Sequence, residues 1–211
     1  MKEFYQEREQ LLKYIHQGCQ DGLIRLSAGN FSTRISDTMA AITPSGILYR
    51  SMEIDDISII DLEGETVAGP PPSSETPMHT AIYREIPRVS SICHTHSIYA
   101  MVCSMLGVEI PLISIELMVC GAPIPVAPWS TPGTKRAGEI AVKTFQSREN
   151  LQVMLLRQHG LLTIGNSMNQ AYTVAINAET GLEVYYKTSM LGEVKPFTTD
   201  QINEIQQVYG L

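Results

Sequence analysis

Cys93-His94-Thr95-His96 is the segment of this sequence whose residue types and spacing most directly suggest chemistry. On a β-strand, residues two apart point to the same face, so His94 and His96 can offer their imidazoles to one point. Imidazole nitrogen is a good ligand for a divalent cation such as zinc. On its own the HxH pair also fits two histidines of a core or a surface. His159, in Arg157-Gln158-His159-Gly160, is one of only five histidines in the chain and follows the apolar run Leu151–Leu156. A glycine at that strand end lets the backbone turn tightly beside a site. Three imidazoles with an open coordination position are the donor set of a catalytic metal centre rather than a structural one.

Glu75 adds a carboxylate. In Ser73-Ser74-Glu75 it stands at an expected helix start, where hydroxyls cap free N–H groups and the helix dipole favours negative charge. Simple capping is one reading; beside a cation, the same carboxylate can serve as ligand, as general base, or as each in turn. His79 lies four residues on, hence on the same helical face, either supporting Glu75 or packing in the core. His16, on the first helix, is expected at the surface. Two turns, Ser27-Ala28-Gly29-Asn30 and Thr43-Pro44-Ser45-Gly46, combine small residues, backbone donors and short polar side chains. With Ser73 and Ser74 they can cradle a phosphate without lysine or arginine.

The elements that must position these groups follow from hydrophobic spacing. Residues 3–19 carry Phe4, Leu11, Leu12, Ile15 and Cys19 at helical intervals, with an end near Gly22. Short strand-like runs follow at Asn30–Ile35, Met39–Thr43 and Ile57–Ile60, divided by turn residues. A helix is expected from Ser74 to about Glu85, a strand over Val89–His96, and helices over Ser97–Leu106 and Thr134–Phe145. Leu151–Leu156 and Leu161–Ile164 read as buried strands, Met168–Met190 as a long helix and Thr199–Val208 as a short one. Strands and helices interleaved in this way imply a layered α/β domain, with early hairpins that rule out a purely parallel sheet.

The chain has 211 residues, enough for one full core, so residues 1–211 are taken as a single domain. A net charge of −7 speaks against nucleic acid or an anionic membrane as partner. No apolar run reaches the roughly 20 residues needed to span a bilayer. Met1-Lys2-Glu3-Phe4 lacks the basic-then-apolar layout of a secretion signal. The four cysteines, Cys19, Cys93, Cys103 and Cys120, form no CxxC pair and are expected to be reduced core thiols of a cytoplasmic protein.

Taken together, Gly29-Asn30, Thr43-Pro44-Ser45-Gly46, Ser73-Ser74-Glu75 with His79, His94-Thr95-His96 and His159-Gly160 follow the order and spacing of the class II aldolase/adducin family. The chain resembles that family over nearly its whole length. The resemblance implies a three-layer α/β/α sandwich with a mixed central sheet, assembled as a homotetramer with active sites between subunits. It implies that His94, His96 and His159, with Glu75 before substrate arrives, bind Zn2+, or Mn2+ or Co2+ in its place. It further implies that Glu75 is the catalytic carboxylate, and that Gly29, Asn30, Ser45, Gly46, Ser73 and Ser74 hold the phosphate of a small phosphorylated sugar.

The family contains aldolases that release dihydroxyacetone phosphate, sugar-phosphate 4-epimerases, ketose-phosphate dehydratases and non-catalytic adducin-like modules. Glu75 matches the aldolase branch, whereas Thr76-Pro77 and His94-Thr95-His96-Ser97 look more like the epimerases. The three histidines and the glutamate argue against the non-catalytic modules, which lack the ligands. The family's aldolases place a tyrosine acid from a neighbouring subunit shortly after an Ile-Pro, but Ile110-Pro111-Leu112-Ile113-Ser114-Ile115-Glu116 has no tyrosine. Glu116 is one candidate to replace it and Tyr209 a second, against plain ion pairing and helix packing respectively. Specificity is expected from Ile115–Gly121, Trp129–Gly133 and the C-terminal tail, where the match is poorest.

Overall fold

The structure, a computed structural model, describes residues 4–121 and 123–210. Eight strands form one sheet in the order β4-β3-β2-β1-β5-β8-β7-β6. They are β1 (Asn30–Arg34), β2 (Met39–Ile42), β3 (Ser58–Asp61), β4 (Thr66–Ala68), β5 (Ser91–Thr95), β6 (Val126–Ala127), β7 (Val153–Leu156) and β8 (Gly160–Gly165). Every neighbouring pair is antiparallel except β6 with β7, so the sheet is mixed. The helices are α1 (Tyr5–Gln20), α2 (Thr76–Glu85), α3 (Ile98–Ser104), α4 (Ile115–Val119), α5 (Lys135–Gln146), α6 (Met168–Leu191) and α7 (Thr199–Tyr209).

Successive strand residues feed two separate cores, as the alternation of a sheet covered on both faces demands. Phe31, Cys93, Leu155 and Leu161 join Leu11 and Ile15 of α1, Cys103 of α3, Leu117 of α4 and Ala178 and Leu182 of α6. Their neighbours Ile92, Met154 and Leu162 join Met78 and Ile82 of α2 and Ala141 and Phe145 of α5. The result is the expected three-layer α/β/α sandwich. The helix expected over 3–19 is α1 from Tyr5, its first expected residue lying outside the described ones. Cys93, Cys103 and Cys120 are buried and Cys19 is half-buried, all four unpaired. Among the described residues no helix is long and apolar enough to cross a membrane.

Three short elements escape the hydrophobic pattern: β4, whose Thr66 and Val67 are exposed, the two-residue β6, and α4. His16 is not a plain surface residue; its ring is half-buried, with Nε2 3.2 Å from the carbonyl oxygen of Met52.

Candidate metal centre and active site

His94 and His96 lie at the end of β5, the strand at the middle of the sheet. His94 shares the face of Ile92, towards α2, and His96 stands just past the strand's last residue. His159 comes from the neighbouring hairpin, Leu156 pairing with Gly160 across its turn. The left-handed residue of that turn is Gln158, with φ 58°, not the glycine. Gly160 is required for a different reason from the one its position suggested. A Cβ there would lie 2.3 Å from the carbonyl oxygen of Thr95 and 3.4 Å from Cε1 of His94. The missing side chain lets β8 close against β5 and brings His159 to the other two rings.

The three rings meet edge to face, with centroids 4.6 to 4.9 Å apart. Glu75 completes the group, and one ligand atom from each of Glu75, His94, His96 and His159 lies within 4.8 Å of all the others. Nε2 of His94 is 3.0 Å from Nε2 of His96 and 3.0 Å from Oε2 of Glu75; Nε2 of His159 is 3.8 Å from Oε1. The Nδ1 of His94 lies 2.8 Å from the carbonyl oxygen of Leu161. By donating to that carbonyl, Nδ1 turns the His94 Nε2 toward the centre, the usual support of a metal-bound imidazole.

Helix α2 begins at Thr76, one residue after Glu75, and Pro77 sits in its first turn. The Glu75 side chain does not cap the helix, nor do the serine hydroxyls. Instead Ser73 Oγ accepts from the Glu75 N–H at 3.2 Å, and the carboxylate turns inward to the histidines. Burial alone would raise the carboxyl's proton affinity. The charge and hydrogen bond of His94 oppose it, aided by His159 and Asn30, and hold Glu75 well below the usual carboxylate range. Burial also lowers His94, but the Glu75 charge and hydrogen bond and the Leu161 carbonyl outweigh it and raise the imidazole. His96 and His159 are pushed down to about 4 by burial and by the charge on His94, against the pull of Glu75. Three imidazoles and one carboxylate oxygen converging on one point are a donor set that suits a divalent cation.

The candidate phosphate residues fall around this centre. Pro44 bridges to Pro72; the Ser45 N–H donates to the Pro71 carbonyl and the Ser73 N–H to the Thr43 carbonyl, each at 3.0 Å. The two loops are thereby joined, leaving Ser45, Gly46 and Ser74 exposed and Ser73 buried. Gly29, with φ 84°, passes so close to β5 that a Cβ would lie 2.6 Å from the His94 carbonyl oxygen. Asn30 is buried and already engaged: its Nδ2 donates to Glu75 Oε2 at 2.8 Å and its Oδ1 faces Nε2 of His79 at 2.6 Å. His79 therefore reaches Glu75 through Asn30, not directly.

Glu116 and Tyr209 are not brought to the cluster within one chain. Glu116 is half-buried on α4, which packs against α6, and Tyr209 is exposed at the end of α7. Sequence reasoning gave no role to several contributors. Pro128 and Arg157 line a small cavity with Glu75 and His159, together with Ser130 and Pro132 from the Trp129–Gly133 stretch expected to set specificity. Ser32 and Tyr83 extend the hydrogen bonds of His79. Glu179 of α6 accepts from Ser97 Oγ, Tyr99 N and Ala100 N at 2.7 to 2.9 Å, gripping the start of α3 just after His96. Neither Ser32, in the largely polar Asn30–Arg34 strand, nor Glu179 carried a signal in the sequence.

The profile of the family described as Class II Aldolase and Adducin N-terminal domain matches residues 9–186. A 5-deoxy-D-ribulose 1-phosphate aldolase from Bacillus thuringiensis serovar kurstaki is 33% identical over 96% of this chain and 95% of its own. An L-fuculose phosphate aldolase from Escherichia coli K12 is 31% identical over 97% of this chain and 98% of its own. A solved L-fuculose 1-phosphate aldolase superposes with a TM-score of 0.89 at 27% identity, covering 98% of this chain and 97% of that one. With its ligand cluster, its three layers and these relatives, the chain belongs to the class II aldolase and adducin family.

Proposed function

We propose that this protein is a divalent-metal-dependent aldolase that cleaves a ketose 1-phosphate to dihydroxyacetone phosphate and an aldehyde. The observation that carries the reading is the convergence of Glu75, His94, His96 and His159, from three separate segments, on one point. When bound there, Zn2+, or Mn2+ or Co2+, supplies Lewis acidity for the charge that the ketone oxygen acquires as the carbon–carbon bond breaks.

The remaining steps belong to the chain. Breaking the C3–C4 bond sends its electron pair toward the C2 carbonyl, and the C4 hydroxyl loses its proton as the aldehyde leaves. The proton lost from the C4 hydroxyl is balanced by one added at C3. Glu75, held in place by Asn30, takes up a proton from solvent, delivers it to C3 and returns to the carboxylate form that its neighbours favour. The C4 proton needs a second acid or base, for which Glu116 and Tyr209 remain the candidates. Supply of either from a neighbouring subunit accords with a homotetramer, and the exposed Met105, Leu106 and Val108 just after α3 support such contacts. Gly29, Ser45, Gly46, Ser73 and Ser74 hold the phosphate. Asn30 beside them offers only the second hydrogen of its Nδ2, because its carboxamide is engaged by Glu75 and His79. The phosphate's binding energy aligns the reacting carbons. The 5-deoxyribulose and 5-methylthioribulose 1-phosphate aldolases among the relatives favour a ketopentose 1-phosphate with an apolar C5 end.

The test is incubation of the metal-loaded protein with a panel of ketose 1-phosphates and 5-phosphates. Release of dihydroxyacetone phosphate, read by coupled NADH oxidation, is the expected result. An epimer or a dehydrated product instead would replace the proposed reaction with another branch, and no product from any sugar phosphate at full metal occupancy would refute it.

A further inference from the structure

A line of buried hydrogen bonds leads away from Glu75 into the core between β1 and α2. Asn30 Nδ2 donates to Glu75 Oε2 at 2.8 Å, and His79 Nε2 lies 2.6 Å from Asn30 Oδ1. Ser32 Oγ lies 2.6 Å from His79 Nδ1 and 2.7 Å from the Tyr83 hydroxyl. Asn30, Ser32, His79 and Tyr83 are at most 4% exposed. We propose that His79 is a positioning residue for Glu75, acting through the Asn30 carboxamide, and that Ser32 and Tyr83 hold it in the tautomer this task requires. The proposal rests on the reading of Glu75 as the group that moves the proton at C3.

Only one arrangement of protons satisfies the whole line. Glu75 is ionised and can only accept, so Asn30 must turn its NH2 toward it and its carbonyl toward His79. His79 must then carry its proton on Nε2, which leaves Nδ1 as an acceptor. Burial pushes His79 down to about 3, with the charge of Glu75 opposing, so the ring is neutral and has one N–H to place. Ser32 must donate to Nδ1, and its oxygen accepts from the Tyr83 hydroxyl. Reversing any link turns an acceptor toward an acceptor in a site without water contact, the costly case for buried polar groups. With the opposite His79 tautomer the carboxamide would flip and present its carbonyl to the Glu75 carboxylate, driving the carboxylate out of position. The line thus holds Glu75 in one orientation whether or not a cation is bound.

Two substitutions separate this from packing. His79→Gln puts an amide nitrogen near the place of Nε2 and can still donate to Asn30, whereas His79→Asn reaches only the Ser32 side. The expected outcome for His79→Asn is a fall in kcat on the order of tenfold to a hundredfold. Its KM and cobalt affinity are expected to stay within about twofold of the parent. His79→Gln is expected to recover most of the lost kcat. In the unsubstituted protein, 15N NMR of the histidine rings should show His79 protonated on Nε2 and bare on Nδ1 at neutral pH. A proton on Nδ1 overturns the proposal. So do equal losses in the two variants, or a loss confined to KM or metal affinity. The NMR reading needs neither substrate nor a variant, so it decides the tautomer even if one variant does not fold. An unsubstituted protein without aldolase turnover would instead refute the proposed reaction.

Discussion

Gly160→Ala is the sharpest single perturbation of the centre, because it adds one methyl group and no charge. The new Cβ would lie 2.3 Å from the Thr95 carbonyl oxygen. An unstrained carbon–oxygen contact is about 3.3 Å, so the two strands must part locally by about 1 Å. Every residue of β8 is buried, and Gly160 is paired with Leu156 on its other side, so the displacement cannot be taken up by solvent. It falls on the β5–β8 pairing, where Thr95 faces Leu161 and the Leu161 carbonyl holds His94 Nδ1 at 2.8 Å. Overpacking of this kind costs about 1–3 kcal/mol. In a domain of this size each kcal/mol lowers Tm by about 2–4 °C. A shift of that size at reacting groups costs on the order of a hundredfold in rate. Loss of the Leu161 support weakens metal binding by about tenfold or more. Thermal melting of the metal-free protein and competition with a chelator measure the two effects separately. Unchanged Tm and metal affinity in this variant would show that β8 and β5 are not held together as described, and would refute the account of how His159 reaches the centre.

Other substitutions test the parts one at a time. His94→Ala removes the ligand that touches both His96 and Glu75, and should abolish turnover and most bound metal; full metal occupancy would contradict its assignment. Glu75→Gln should keep fold and metal yet lose most turnover, and a near-normal rate would remove Glu75 from the mechanism. Glu179→Ala leaves the three donors at the start of α3 without their carboxylate, with an expected cost of about 2 kcal/mol in a thermal melt. Glu179→Gln should restore part of it, and a melt unchanged by either would dismiss the grip. The metal-free protein should lose stability as pH falls below about 6.5, the value of a free imidazole. His96 and His159, held at about 4, and His79, held at about 3, take up protons only on unfolding in that window. Glu75, depressed when folded, adds a further loss as pH drops through and below the ordinary carboxylate range, while His94, raised when folded, works the other way. A Tm flat from neutral pH to pH ~4.5 would contradict three against one.

Much of the centre was legible because its logic is local. Two histidines on a strand must share a face, and a glutamate beside Ser73-Ser74 must stand near a helix start. The two-sided burial of β7 and β8 was equally legible in the mainly apolar Leu151–Leu156 and Leu161–Ile164, whereas β5, with Ser91, His94 and Thr95, carries no such run. What the sequence hid depends on partners far along the chain. The need for Gly160 lies in the carbonyl of Thr95, on another strand, and no turn propensity reveals it. The role of Ser32 depends on His79 and Tyr83 lying above it on α2. The five-residue α4 sits in a stretch too uniformly apolar to show helical periodicity, and β4 is a three-residue edge with polar exposure. The pairing of β5 with β8, antiparallel despite the helices between them in the chain, follows from sheet order and not from any local signal.

The end of β5 is held from both layers. On one side, Glu75, just before α2, reaches Nε2 of His94; on the other, Glu179 of α6 fastens Ser97 and the first turn of α3 just beyond His96. Neither contact exists until its layer has docked on the sheet, and His159 arrives only when β8 closes on β5. The four candidate ligands therefore come together only in the folded chain, and the unfolded chain cannot reproduce their spacing. Whatever free energy a cation gains at this centre is then gained by the native state alone. At a free metal concentration about 100 times Kd, that linkage adds about 2.7 kcal/mol to stability. On the proposed function, the same docking that aims the carboxylate at the cluster is reinforced by any cation that the cluster binds.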